Sequence, residues 1–246
     1  MAFLSLDHIH YSYPGQDSII NDVTWQIDAG EFHCLLGKSG CGKTTLLKLA
    51  AGLLKPNSGK VFLQGVEVLK PSSQIGYVFQ APTLLEWKTV LDNVLLPISL
   101  KRKPKRVELE YGEQLLELMG ISLQKDKYPT ELSGGQQSRV AIARSLIQKP
   151  TLLFLDEPFS AVDAITREEL QDDLLKLCQR QKTTVIFITH DITEAVYLAD
   201  QVAIIVGGQM IHEVKVDLPK ERNLEMRYDP YFNELCLKIR QSISGG

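Results

Sequence analysis

The chain has 246 residues, with 27 Lys and Arg against 30 Asp and Glu and a formal net charge of −3. Hydrophobic residues make up 44% and charged residues 23%, a globular composition that excludes a disordered chain. The lack of a basic excess excludes a generic nucleic-acid binder. A chain of this length buries roughly 70–75% of its unfolded surface and needs no staple. The four cysteines, Cys34, Cys41, Cys178 and Cys236, show no CxxC spacing and read as reduced thiols.

Leu4, Leu6 and Ile9 lead as a strand to Tyr11-Ser12-Tyr13, and Pro14-Gly15 makes a turn. Met1 to Tyr13 has no basic n-region and does not read as a secretion signal. Val23, Trp25 and Ile27 alternate as a second strand, and Phe32 to Leu36 is a short buried one. A glycine-rich loop at 37–42 precedes a helical stretch from Lys43 to Ala51. Val61–Leu63 and Ile75–Phe79 read as strands. The pattern then turns helical over Val90–Leu100, Val107–Met119 and Gly134–Ile147, with the basic run Lys101–Arg106 between the first two. This predicts a helical subdomain over about residues 86–148, inserted in an α/β core. Leu152–Asp156 is an apolar strand, Ala164–Gln179 a helix, Val185–Thr189 a strand and Ile192–Leu198 a helix, followed by strands Val202–Val206 and Met210–Val214. Apolar strands alternating with helices predict a parallel sheet covered on both faces. Tyr231–Ile239 places Phe232, Leu235, Cys236 and Ile239 on one helical face. The expected division is one domain over 1–215 and a short extension over 216–246. No apolar run approaches the ~18–20 residues of a membrane span, so the chain is expected to be soluble.

Gly37-Lys38-Ser39-Gly40-Cys41-Gly42-Lys43-Thr44 fits GxxxxGK[ST] between an apolar strand and a helix, the context of a P-loop. Glycines let successive backbone N–H groups converge on phosphate oxygens. The helix N-terminus adds roughly half a positive charge. Lys43 is expected on the β- and γ-phosphates and Thr44 on Mg²⁺. Lys38, Ser39, Cys41 and Thr45 complete the nucleotide-binding stretch. Asp156 ends its strand where such enzymes hold Mg²⁺, and Glu157 is placed to polarise an attacking water as general base. These features predict an ATPase or GTPase. The fold class is α/β: a P-loop NTPase (RecA-like) core with an N-terminal antiparallel β subdomain and an inserted α-helical subdomain.

Leu132-Ser133-Gly134-Gly135-Gln136 opens a helix, with Ser133 a good N-cap and two glycines that admit close approach to an anion. Following the P-loop and preceding Asp156, this LSGGQ resembles the signature motif of ABC ATPases. The resemblance implies that Tyr13 stacks on adenine and that Gln80 is the Q-loop glutamine, joining the Mg²⁺ shell and catalysis. It further implies that Asp163 closes the D-loop Ser160-Ala161-Val162-Asp163, and that His190 is the switch histidine on the γ-phosphate. Ser133, Gly134, Gly135 and Gln136 would cap ATP bound to a second copy, so the working unit would be a homodimer. Leu84–Val94, LLEWKTVLDNV, is similar to the LLPW-x-TV-x-x-NV stretch of nitrate/sulfonate/taurine and thiamine-precursor importer ATPases, with Glu86 in place of the usual proline and Trp87 placed to seat a partner helix. Gln137-Ser138-Arg139 and the SAVD D-loop depart from that family's commoner residues. The resemblance implies an energy-coupling subunit for import of a small polar solute. Its partners would be membrane permease subunits and, indirectly, a solute-binding protein, at the cytoplasmic face of the inner membrane and with no nucleic acid. An ABC ATPase for lipid or lipoprotein transport or export, or a cytosolic one for iron–sulfur assembly, is the alternative. The run Lys101–Arg106 reads as a solvated turn or as a contact for anionic headgroups.

Overall fold

The computed structural model describes residues 2–244. Met1 of the N-terminal segment and Gly245 and Gly246 of the 216–246 extension lie outside the described residues. The chain folds as two units, Met1–Ser72 with Lys182–Gly246, and Ser73–Gln181.

The first unit begins with β1 (Leu4–Ser12), β2 (Ser18–Ile27), β3 (Phe32–Leu36), α1 (Lys43–Ala50), β4 (Ser58–Leu63) and β5 (Val66–Glu67). β1 pairs antiparallel with β2, placing Leu6 opposite Trp25, and with β4, placing Leu4 opposite Leu63. Alternation explains the pairing: Leu4, Leu6, Ile9, Val23, Trp25 and Ile27 are all buried, so one face of this antiparallel sheet is apolar.

The second unit contains β6 (Ile75–Val78), α2 (Val90–Val94), α3 (Leu96–Ser99), α4 (Arg106–Leu118), α5 (Gly134–Leu146), β7 (Leu152–Asp156) and α6 (Ala164–Gln181). β6 and β7 run parallel from Ile75↔Leu152 to Val78↔Leu155. The continuous helix expected over Val90–Leu100 is instead two short ones broken at Leu95. Pro97 lies in the first turn of α3. It has no N–H to give to an earlier turn, and its ring clashes with the carbonyl four residues back. Thr89 starts α2, its Oγ1 accepting the Asp92 N–H at 3.2 Å. Short 3₁₀ turns at Ser122–Gln124 and Pro129–Glu131 have no signal in the apolar periodicity.

The chain returns to the first unit with β8 (Thr184–Ile188), α7 (Ile192–Leu198), β9 (Gln201–Val206), β10 (Gln209–Lys215) and α8 (Pro230–Ser244). β3 pairs parallel with both β8 and β9, and β10 pairs antiparallel with β9. Every residue of β3 and of β8 is buried, His33 and Thr184 among the apolar side chains, as befits strands covered on both faces. α8 is longer than its apolar pattern and packs on α7 and β9. Phe232, Leu235 and Ile239 are 1%, 6% and 0% exposed. Beside it the Arg227 guanidinium lies 3.6 Å from the Tyr197 ring centre, a cation–π contact. Among the described residues no helix is long and apolar enough to cross a membrane.

Truncating Ile239 to Ala removes a fully buried side chain, so stability in urea denaturation should fall by about 2–5 kcal/mol. An unchanged midpoint would mean that α8 does not close this core in solution.

Candidate functional site

Parallel strands deliver their carboxyl ends to one edge of a sheet, where ligands of α/β folds bind. In the first unit Leu35 of β3 is in register with Ile188 of β8, and Leu36 with Ile204 of β9. The loop 37–42 after β3 and His190 after β8 therefore leave along the same edge.

The loop is built around missing side chains. Gly42 is the N-cap of α1, with φ 101° and no side-chain cap. A Cβ there would lie 2.8 Å from Ile20 Cδ1, and one on Gly37 would run into the Ile205 carbonyl. Space demands glycine at both positions, and the left-handed backbone demands it again at Gly42. The first N–H groups of α1 thus carry no side-chain partner from the cap. Lys43 is 7% exposed and folds back on the loop, its Nζ donating to the Gly37 carbonyl at 2.7 Å and to the Lys38 carbonyl at 3.0 Å. Lys38, Ser39 and Gly40 are exposed, Cys41 and Thr44 half-buried and Thr45 buried. Tyr13 is half-buried, edge-on to Tyr11 with ring centres 5.0 Å apart.

His190 is exposed on a pinned turn. Thr189 Oγ1 accepts the Asp191 N–H at 3.0 Å. The Asp191 carboxylate accepts the N–H groups of Thr193 at 2.8 Å and Glu194 at 3.3 Å, capping α7.

In the second unit the Val78↔Leu155 register sends Gln80, Asp156 and Glu157 to one edge. Asp156 is 3% exposed. Burial, joined by the Asp156 charge, pushes the Tyr77 hydroxyl well above its ordinary pKa. Glu157 has φ 47°, a left-handed conformation that costs a non-glycine residue about 1–3 kcal/mol and turns the chain sharply off β7. Gln80 is exposed. The segment after it is tied down by two residues to which the sequence reading gives no role. Arg144 donates from Nη1 to the Thr83 carbonyl and from Nη2 to the Pro82 carbonyl, each at 2.9 Å. Asn93 is fully buried. Its Oδ1 accepts the Leu85 N–H at 2.8 Å, and its Nδ2 donates to the carbonyls of Leu85, Lys88 and Thr89 at 3.0–3.1 Å. Trp87, on the loop so fixed, is 74% exposed. Asn93 lies within the LLEWKTVLDNV resemblance, which is the signal that marks it; Arg144 has none.

Ser133 and Gln136 form a capping box at the start of α5. The Ser133 Oγ accepts the Gln136 N–H at 3.3 Å, and the Gln136 Oε1 accepts the Ser133 N–H at 3.0 Å. Ser133 and Gly134 are exposed and Gly135 is buried. A Cβ on Gly135 would lie 2.9 Å from the Ala161 carbonyl, whereas one on Gly134 would meet nothing closer than Ala161 Cβ at 3.8 Å. LSGGQ thus packs on the Ser160–Asp163 turn. Asp163 starts α6, its Oδ1 accepting the Thr166 N–H at 3.1 Å. Hydrogen bonds from Thr166 hold its carboxyl below the usual carboxylate range.

In the first unit Thr44 offers a hydroxyl, and in the second Gln80 and Asp156 offer an amide oxygen and a carboxylate. Each is a hard-oxygen donor of the kind Mg²⁺ takes, filling its shell with phosphate oxygens and water. Among the described residues no group of three or more His, Cys, Asp or Glu side chains is arranged to hold a metal by itself.

A family profile described as ABC transporter matches residues 20–160. The chain is 42% identical over 244 residues to the nitrate import ATP-binding protein NrtC of Synechococcus elongatus; the match covers 95% of this chain but only 37% of that longer protein. It is 42% identical over 224 residues to the aliphatic sulfonates import ATP-binding protein SsuB of Bacillus licheniformis, covering 90% and 86% of the two chains. A dimeric structure of the ATP-binding cassette MJ0796 in a post-hydrolysis state bound to ADP and Pi superposes with a TM-score of 0.80 at 29% identity, covering 88% of this chain and all of that one.

Of the four thiols, burial pushes Cys178 up to about 12 and Cys236 up to about 11, and Cys34 is also raised. Cys41 is the cysteine inside the phosphate loop, its Sγ 3.9 Å from Lys43 Nζ. Alkylation by N-ethylmaleimide should therefore modify Cys41 first and abolish ATP binding, and ATP should protect the thiol. Peptide mapping that finds no protection would contradict this loop geometry.

Proposed function

The chain belongs to the ABC transporter family as one of its ATPases, with the mixed parallel and antiparallel α/β architecture of a P-loop NTPase, and from that premise we propose that it is the energy-coupling subunit of an importer for a small polar solute. Nitrate and sulfonate are the solute types named for its relatives. The observation that carries the reading is the presence in one chain of two glycine helix starts with different chemistry. The α1 start has no side-chain cap below the P-loop, and the α5 start caps itself and leaves Ser133 and Gly134 exposed. The first suits the chain's own nucleotide. The second suits the γ-phosphate held by another copy, so a two-fold dimer builds two equivalent sites.

In this reading Tyr13 stacks on adenine, and the N–H groups of 37–45 receive the phosphates. Lys43 exchanges the carbonyls of Gly37 and Lys38 for phosphate oxygens. Thr44, Gln80 and Asp156 would hold Mg²⁺, which would neutralise phosphate charge when bound. Glu157 accepts a proton from water as the water oxygen bonds to the γ-phosphorus. The bond to the bridging oxygen breaks, and ADP and phosphate separate. His190 and Asp163 orient and sense the γ-phosphate. Its loss removes contacts from both helix starts and opens the dimer, the two-state motion that drives the permease.

The importer part rests on the segment 84–94. Exposure of Trp87 on a loop fixed by Asn93 supports its use as an anchor for a permease helix. The solute-binding protein acts through that permease, and the chain is held peripherally at the cytoplasmic membrane face.

Glu157→Gln should lower kcat by about 10²–10⁴-fold, retain ATP affinity, and elute as a dimer with ATP in size-exclusion chromatography. Unchanged turnover would remove Glu157 from the role of base. Trp87→Ala should leave ATP turnover of the isolated chain intact and weaken co-purification with the permease from membranes. Undiminished co-purification would place the docking surface elsewhere.

A further inference from the structure

The basic run 101–106 separates into paired and unpaired charges. The Arg102 guanidinium is bidentate on Glu108, with Nη1 2.8 Å from Oε2. Glu108 also accepts the Lys105 N–H at 2.8 Å, and these bonds hold its carboxyl at about 2. Arg106 pairs with Glu110 at 2.8 Å. Lys101 has no carboxylate partner among the described residues.

Lys101 and Arg102 border a cavity of about 470 Å³ that lies within the second unit. Its lining also includes Lys149, which follows α5 in a left-handed conformation with φ 50°. The Lys149 ammonium sits 4.6 Å from the centre of the Tyr111 ring and has no carboxylate partner among the described residues. The Tyr111 hydroxyl accepts the Gln181 Nε2–H at 2.9 Å, which leaves its own O–H to donate. Ile98, Val107 and Ile147 supply an apolar wall.

We propose that this cavity binds a phosphomonoester dianion, carried by a soluble metabolite or by a lipid headgroup. Three cations, Lys101, Arg102 and Lys149, face one carboxylate, Glu108, so the lining carries a net charge of about +2. A phosphomonoester carries about −1.5 to −2 at neutral pH. The convergence is not a by-product of the local basic run, because Lys149 comes from a different part of the chain. Two of the cations are already oriented, Arg102 by Glu108 and Lys149 by the Tyr111 ring, which lowers the entropy lost on binding. The volume falls within the range of small-molecule sites, and the apolar wall suits the organic part of the ester. The proposal does not depend on the ATPase reading.

The test is calorimetric titration of the full chain with glucose 6-phosphate, and flotation with phosphatidylcholine vesicles with and without phosphatidic acid. Both are repeated on Lys43→Ala, to remove the P-loop as a phosphate site, and on the Lys101→Gln/Lys149→Gln double variant made in that Lys43→Ala background. Saturable binding is expected in the parent and in Lys43→Ala, weakened at least about tenfold in the double variant. Its appearance with the sugar phosphate identifies a soluble ligand, and its appearance only with phosphatidic acid identifies a headgroup. Binding that survives the double substitution, or no binding to either probe into the millimolar range, would overturn the proposal. Thermal unfolding of the double variant at the parent temperature shows that any loss is local.

Discussion

An α-helix leaves its first backbone N–H groups without carbonyl partners, and two helix starts in this chain meet that constraint in opposite ways. At α1 the cap is a left-handed glycine that offers them no side-chain acceptor, and Lys43 stays tied to the carbonyls of its own loop. Such an end suits an anion. At α5 the Ser133–Gln136 box satisfies the N–H groups of Ser133 and Gln136 from within. The helix stands folded without a ligand and still directs its positive end outward.

Both ends need rigid emplacement, since a phosphate site misplaced by an ångström loses much of its effect. The strands supply most of it. β3, β7 and β8 are buried at every residue, and their parallel partners keep register to the last pair before each loop. Beyond the strands, polar side chains do the fixing. Asp191 and Thr189 pin the turn of His190. Arg144 and Asn93 tie the segment from Pro82 to Thr89. Each replaces a backbone partner that an irregular segment lacks.

That division explains what could be read from the residues alone. Apolar strands, the P-loop and the capped LSGGQ helix each announce themselves through a local pattern tied to a physical need. The helix expected over Val90–Leu100 failed because apolar spacing outweighed Pro97, whose missing N–H decides the matter. Asn93 and Arg144 escaped because a buried polar tie has no periodicity: its partners are carbonyls, which every residue has. The run Lys101–Arg106 looked uniformly basic because its counter-charges, Glu108 and Glu110, lie beyond it in α4, and Lys149 reaches the same cavity from beyond the end of α5. Charge is settled by folding, not by counting along a stretch.

The two glycines of LSGGQ answer to different neighbours. Gly135 is fixed from within, since any Cβ would press on the Ala161 carbonyl. Gly134 has room for a methyl group and stands exposed, so nothing in its own chain requires it to be bare. What favours a bare backbone at an exposed helix start is close approach by a group from outside. In the proposed dimer that group is the phosphate held by the facing copy. The D-loop turn that forbids a side chain at Gly135 also sets the position of Gly134, so packing inside one chain prepares a surface that only a second chain can use.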